Sequence, residues 1–255
     1  DWIIQGTETI DNQKMLQRGN IYVRSGATLL VKDSELAIER GSTPTIHVYI
    51  FVDSGGTLII DNSKVYPGTN DGGLTCVWNR GRTTLTNSPT SIHYFDMSDG
   101  ATLTMENSSM IYEIGGLLQV AGGNTRVANS TLGALALSVP AGAHLIATGL
   151  ESGTQFDHWQ VQDLIPEANY QLTFEDVKLL EDFVGEYEHG PYERGWIFFL
   201  HPDSHVRLSD SELRKVFIDL RGDTADFKNL TVEAPSSLAY RDIVLEDVSV
   251  SGEWG

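Results

Sequence analysis

His93 and Glu113 each stand six residues beyond an asparagine, Asn87 and Asn107, and each has a tyrosine beside it, Tyr94 and Tyr112. An imidazole and a carboxylate at equivalent places of neighbouring structural units can share a proton in catalysis or hold a metal ion. An ordinary solvated surface contact is the competing reading of the pair. Two later stretches are richer. Phe156-Asp157-His158-Trp159 and the run from Glu186 through Tyr187, Glu188, His189, Tyr192 and Arg194 to Trp196 interleave aromatic, acidic and basic side chains. Aromatic faces stack on sugar rings while carboxylates and guanidinium groups bond hydroxyls, so Asp157, His158, Trp159, Tyr187, Tyr192, Arg194 and Trp196 read as saccharide contacts. Glu186, Glu188 and His189 are the acid and base candidates of that group. A packed loop covering a sheet would use the same aromatic residues.

Asp219, Asp223 and Asp226 offer hard oxygen ligands suited to Ca²⁺, at a spacing that is not that of an EF-hand loop. Ca²⁺ is the only cofactor the sequence suggests. The tripeptide Arg221-Gly222-Asp223 overlaps a turn position, and the Asn-x-Ser/Thr sequons at Asn107, Asn129 and Asn229 fall on a structural repeat. Structural use accounts for both.

That repeat must position every candidate. Gly26-Ala-Thr-Leu-Leu-Val-Lys-Asp33-Ser34 returns as Gly55-Gly-Thr-Leu-Ile-Ile-Asp-Asn62-Ser63 and as Gly100-Ala-Thr-Leu-Thr-Met-Glu-Asn107-Ser108. Taking the Asn or Asp as a marker gives Asn12, Asp33, Asn62, Asn87, Asn107, Asn129, a degenerate copy near Thr148, then Asp176, Asp210, Asn229 and Asp247. The unit is roughly 20 residues long with insertions, and about eleven copies fill residues 1–255 as one domain. Apolar residues alternate within each copy, as in Leu58 and Ile60, which is the period of a strand with one buried face. Helical periodicity is weak throughout. Short strands on a 20-residue repeat predict an all-β fold: a single right-handed parallel β-helix of about eleven coils, stacked at about 4.8 Å. The Asn and Asp markers read as a bend column, because these residues tolerate turn conformations and can bond to the neighbouring coil.

Composition narrows the partners. The 255 residues carry 17 Lys and Arg against 35 Asp and Glu, a net charge of −18. Such a field repels phosphate backbones and anionic lipid, so nucleic-acid and membrane-surface binding are disfavoured. Apolar runs such as Trp196–Leu200 are too short to span a bilayer. One cysteine, Cys76, allows neither an internal disulfide nor a cysteine-based zinc site. The chain starts at Asp1 without a methionine, as expected of a processed secreted protein or of a piece of a longer one.

On the Gly-x-Thr-Leu-x-apolar-x-Asn-Ser phrase the chain resembles the right-handed parallel β-helix superfamily with the pectin-lyase-like fold, over nearly its whole length. The resemblance implies a carbohydrate-binding or sugar-cleaving protein. The hallmark motifs of polygalacturonases, pectate lyases and pectin esterases are missing, so no catalytic residue carries over. Three classes of function follow. The first is a polysaccharide-binding module of a secreted or cell-surface protein. The second is an extracellular polysaccharide lyase or glycoside hydrolase. The third is a surface or filament subunit that stacks end to end, or adjoins further domains, through terminal coils with no evident cap around Trp2-Ile3-Ile4 and Val248, Val250 and Trp254. Insertions after Asp33, Asn62, the Thr148 copy and Asp176 all leave between a marker and the next glycine. They are expected to form the walls of a groove on one side, floored by His93 and Glu113.

Overall fold

A computed structural model describes residues 1–41, 46–68, 73–98, 100–111, 117–120, 123–132, 134–137, 144–153, 171–175, 178–180, 205–214, 218–233 and 236–251. Side chains are described as far as Leu132, apart from residues 117, 119 and 120, and beyond Leu132 only the strands and their register are. Among the described residues every element is a strand, and every strand pairing is parallel. None of them forms a helix long and apolar enough to cross a membrane.

Each of the first five coils has three legs. The first coil comprises β1 (Trp2–Ile4), β2 (Thr7–Asp11) and β3 (Lys14–Arg18), the second β4 (Ile21–Val23), β5 (Thr28–Lys32) and β6 (Glu35–Glu39). The third comprises β7 (His47–Val52), β8 (Thr57–Asp61) and β9 (Lys64–Pro67), and the fourth β10 (Leu74–Asn79), β11 (Arg82–Thr86) and β12 (Pro89–Thr90). The fifth comprises β13 (Tyr94–Met97), β14 (Thr102–Glu106) and β15 (Ser109–Met110). The sixth has β16 (Leu117–Val120) and β17 (Asn124–Leu132), and the seventh has β18 (Ala134–Leu137) and β19 (His144–Gly153). The eighth has β20 (Gln171–Glu175) and β21 (Lys178–Leu180). β22 (His205–Arg214), β23 (Ile218–Glu233) and β24 (Ser236–Ser251) complete the series. The second legs pair in unbroken succession, β2, β5, β8, β11, β14, β17, β19, β20, β22, β23 and β24, so the described residues form a parallel β-helix of eleven coils. The first legs of coils one to seven form a seven-stranded sheet, β1-β4-β7-β10-β13-β16-β18.

The alternation seen in sequence becomes inside and outside. Leu29, Val31, Leu58, Ile60, Leu85, Leu103 and Met105 of the second legs meet Ile4, Ile21, Ile50, Val77, Phe95 and Leu118 of the first sheet in one buried column. Burial of each such side chain contributes roughly 1.5–3 kcal/mol. Between the second and third legs the chain bends at the markers. Asn12, Asp33, Asn62, Asn87, Asn107 and Asn129 all have φ between 46° and 50°, a left-handed conformation that Asn and Asp adopt most readily among residues with a Cβ. Asn62 Nδ2 donates to Asp33 Oδ1 at 2.6 Å, which relieves the charge of the lone acid there, and Asn107 Nδ2 donates to Asn87 Oδ1 at 3.3 Å.

Next to each marker lies a second ladder. Ser34, Ser63, Ser88, Ser108 and Ser130 are buried. The backbone N–H of Gln13, Ser34, Ser63, Ser88 and Ser108 each donates to the serine Oγ of the following coil at 2.9–3.2 Å. Each serine hydroxyl in turn donates to the carbonyl two residues before it, at 2.6–2.8 Å.

Not every buried hydroxyl is matched. Thr75, Thr83 and Thr125 point Oγ1 into the interior without a hydrogen-bond partner among the described residues. Valine keeps the branched shape and removes the unpaired hydroxyl. Thr83→Val is therefore expected to raise unfolding free energy by about 1 kcal/mol, read from denaturant midpoints. No gain, or a loss, would mean that the hydroxyl finds a partner.

Candidate functional site

The outer face of the first sheet concentrates side chains that can contact a ligand. Register aligns Ile3, Tyr22, Phe51, Trp78 and Asp96 in one outward column. Tyr49, Cys76 and Tyr94 align in a second, two residues earlier on their strands. Arg24, Asp53 and Arg80 follow the ends of the strands, with Arg24 Nη1 3.1 Å from Asp53 Oδ2.

The aromatic members pack on one another. Tyr22 and Phe51 stack with centroids 5.0 Å apart and planes within 10°, and Tyr49 lies 5.1 Å from Phe51. Rings stacked this way cover each other's faces and turn their edges outward, so most of the column stabilises the sheet rather than offering platforms. Trp78 differs. It is tilted 38° from Phe51 at 6.0 Å, its Nε1 donates to Ser98 Oγ of the next coil at 3.0 Å, and it is 36% exposed. The next residue in its column is Asp96, which has no ring to cover the indole. Arg80 holds its guanidinium 4.8 Å from the Trp78 ring centroid.

Several titratable groups of this sheet are shifted by partial burial. Burial raises the Asp96 carboxyl, with Arg80 opposing the shift. Burial, then Asp96 and Cys76, push the Tyr94 hydroxyl far above the ordinary phenol range. Burial and the nearby His47 lower His93. Burial pushes the Cys76 thiol up to about 12, which removes it as a nucleophile near neutral pH. A carboxyl raised in the folded state binds more protons there than in the unfolded chain, so its ionisation weakens the fold above the unfolded value and the loss is recovered as pH falls. Asp96→Asn is expected to melt above the parent at pH 7, with the difference closing as pH approaches 4. Equal melting temperatures across that range would show that Asp96 is solvated.

The sequence candidates fall unevenly on this geometry. His93 and Tyr94 lie at the edge of the aromatic face, where β13 begins. His93 N–H donates to Thr75 O at 2.8 Å, and its imidazole lies 6.1 Å from that of His47. His47 and Tyr49, 6.2 Å apart by ring centroids, had no distinguishing motif in the sequence. The long passages after Asp33 and Asn62 do enter the same edge of the first sheet, at His47 and Leu74, while the fifth coil makes the passage with Ser91, Ile92 and His93. Tyr112 and Glu113 lie outside the described residues, as do Asp157, His158, Trp159, Glu186, Tyr187, Glu188, His189, Tyr192, Arg194 and Trp196. Asp219, Asp223 and Asp226 lie on β23. Asp219 pairs with Ser237 before the corner and Asp226 with Val244 on the second leg, and Asp223 falls in the gap in pairing between Gly222 and Thr224. Among the described side chains no group of three metal-binding residues occurs.

A shallow depression of about 410 Å³ runs along the marker bend, lined by Asn12, Asp33, Asn62, Asn87, Lys14 and Lys64. Its residues are those of the bend ladder, and Lys14 Nζ is paired with Glu35 at 2.8 Å. It is a consequence of the bend and lies apart from the aromatic face. Comparison with known proteins brings no relative: no family, no curated protein and no solved structure matches the chain.

Proposed function

We propose that the outer face of the first sheet binds a polysaccharide, and that the protein is a saccharide-binding β-helix module of a secreted or cell-surface protein. The tilted Trp78 carries this reading. A solvent-facing indole beside Arg80 and Asp96, with Tyr94 two residues before Asp96 on its strand, combines an apolar platform with donors and acceptors for hydroxyls. The net charge of −18 favours neutral or cation-bridged ligands over free polyanions. A glycan array followed by calorimetry with the best oligosaccharide is the test. Trp78→Ala is expected to weaken binding about tenfold, roughly the 1.4 kcal/mol of one stacked ring. Unchanged affinity in that variant would place the site elsewhere.

Cleavage of the bound chain is the second reading, favoured by the clustering of shifted titratable groups at His93, Tyr94 and Asp96. Release of reducing ends or of unsaturated products from the array hit, lost in His93→Ala, would support it. A ligand recovered intact after prolonged incubation would exclude it for that saccharide.

A further inference from the structure

We infer that His47 and His93 form a two-imidazole site for a divalent d-block cation, of the class of Cu²⁺, Ni²⁺ or Zn²⁺. The two residues are 46 positions apart in sequence and belong to the third and fifth coils. Successive coils repeat at about 4.8 Å, so backbones two coils apart are separated by nearly twice that. Their ring centroids are nevertheless only 6.1 Å apart, with planes inclined at 31°. The side chains therefore lean toward each other across the fourth coil. At that point the fourth coil contributes Leu74, which pairs with His47, and Thr75, whose carbonyl accepts the His93 N–H, both of them buried.

Coordination geometry fits this separation. A metal bound to a ring nitrogen at 2.0–2.1 Å sits about 3.2 Å from the ring centroid, so two imidazoles on a tetrahedral ion have centroids about 5.2 Å apart. The observed distance is met by opening the nitrogen–metal–nitrogen angle to about 145°, or by a side-chain rotation that closes just under 1 Å. Both backbones are held while that happens. Leu74 N–H donates to Ile46 O at 2.7 Å, and His93 N–H donates to Thr75 O at 2.8 Å. The pair is thus presented by two strand ends of one sheet, which is the rigidity a metal site needs.

Ligand type selects the ion. Imidazole nitrogens suit borderline cations and not Ca²⁺, which takes oxygen ligands, so this site is chemically distinct from the aspartates of β23. Among the described residues two ligands are supplied, His47 and His93, and water at further positions keeps the ion exchangeable. The acidic chain raises the local cation concentration. The inference does not depend on saccharide binding.

The test uses Cu²⁺ and the intact protein. Substoichiometric Cu²⁺ should broaden the NMR signals of His47, His93, Tyr49 and Tyr94 first. Broadening centred on His144, His158, His189, His201 or His205, with the pair unaffected, would overturn the proposal. In calorimetry His47→Gln and His93→Gln should each weaken the tightest Cu²⁺ site at least tenfold, and affinity should fall from Cu²⁺ to Ni²⁺ and Zn²⁺. Retention of that site in both variants would overturn it equally. If either variant fails to fold, the broadening pattern of the parent decides.

Discussion

Ser88→Ala is expected to lower the unfolding free energy by about 2–3 kcal/mol, the larger part of it through a group that the substitution does not touch. Ser88 is fully buried, and its Oγ accepts the backbone N–H of Ser63 at 3.1 Å while donating to Thr86 O at 2.7 Å. Alanine leaves the Ser63 N–H buried with no acceptor, at a cost of about 1–3 kcal/mol, and also removes the hydroxyl's own bond. The Ser88 N–H keeps its acceptor, Ser108 Oγ at 3.0 Å, so the damage stays in the joint between two coils. For a chain of this length the loss corresponds to a fall in Tm of roughly 5–10 °C. Chemical denaturation with an unchanged slope would confirm a pure stability effect. A change under 0.5 kcal/mol would mean that the serine column contributes nothing beyond its packing.

That ladder shows where legibility ended. The marker column can be read from sequence because a bend with φ near 47° restricts the residue type to Asn, Asp or Gly, and the restriction leaves a periodic letter. The serine after each marker is equally periodic, yet the letter alone does not say that its hydroxyl bridges two coils. Coil number and core followed from the same period, since inward positions must be apolar. The outer face of the first sheet obeys no such restriction. Tyr22, Phe51, Trp78 and Asp96 share a column but not a residue type. Tyr22, Phe51 and Asp96 stand eleven residues before their markers, Asp33, Asn62 and Asn107, whereas Trp78 stands nine before Asn87. A count from the marker therefore puts Cys76 where Trp78 belongs. His47 escaped for a related reason: its approach to His93 crosses an intervening coil and has no signature in either local sequence. The insertions were visible as extra length, and length alone shows which edge they leave but not what they enclose.

The shortened count at Trp78 has a structural cause, and it sets the second large effect. From Val23 to Thr28, from Val52 to Thr57 and from Met97 to Thr102 the corner between first and second legs takes four residues, but between Asn79 and Arg82 it takes only Arg80 and Gly81. Buried Asn79 organises this short corner, its Oδ1 accepting Gly81 N–H at 3.1 Å and its Nδ2 donating to Thr102 O at 3.0 Å. The economy brings Gly81 against the corner below. A Cβ there would lie inside contact distance of the carbonyl oxygens of Gly56 and Asp53. Both are backbone atoms fixed by their own bonds, Arg82 N–H to Gly56 O at 3.0 Å and Gly56 N–H to Asp53 O at 2.8 Å, so no flexible side chain can yield. Gly81→Ala is expected to cost about 3 kcal/mol, the upper end for overpacking. Gly6→Ala, with open space around the added carbon, serves as the neutral control. Because Gly81 follows Arg80 and sits three residues from Trp78, the same shift must disturb the indole and guanidinium that the saccharide reading depends on. Thermal unfolding and oligosaccharide affinity should therefore fall together in Gly81→Ala. A variant that melts like the parent would show that the corner has room to move, and one that melts lower but binds fully would separate the corner from the ligand face.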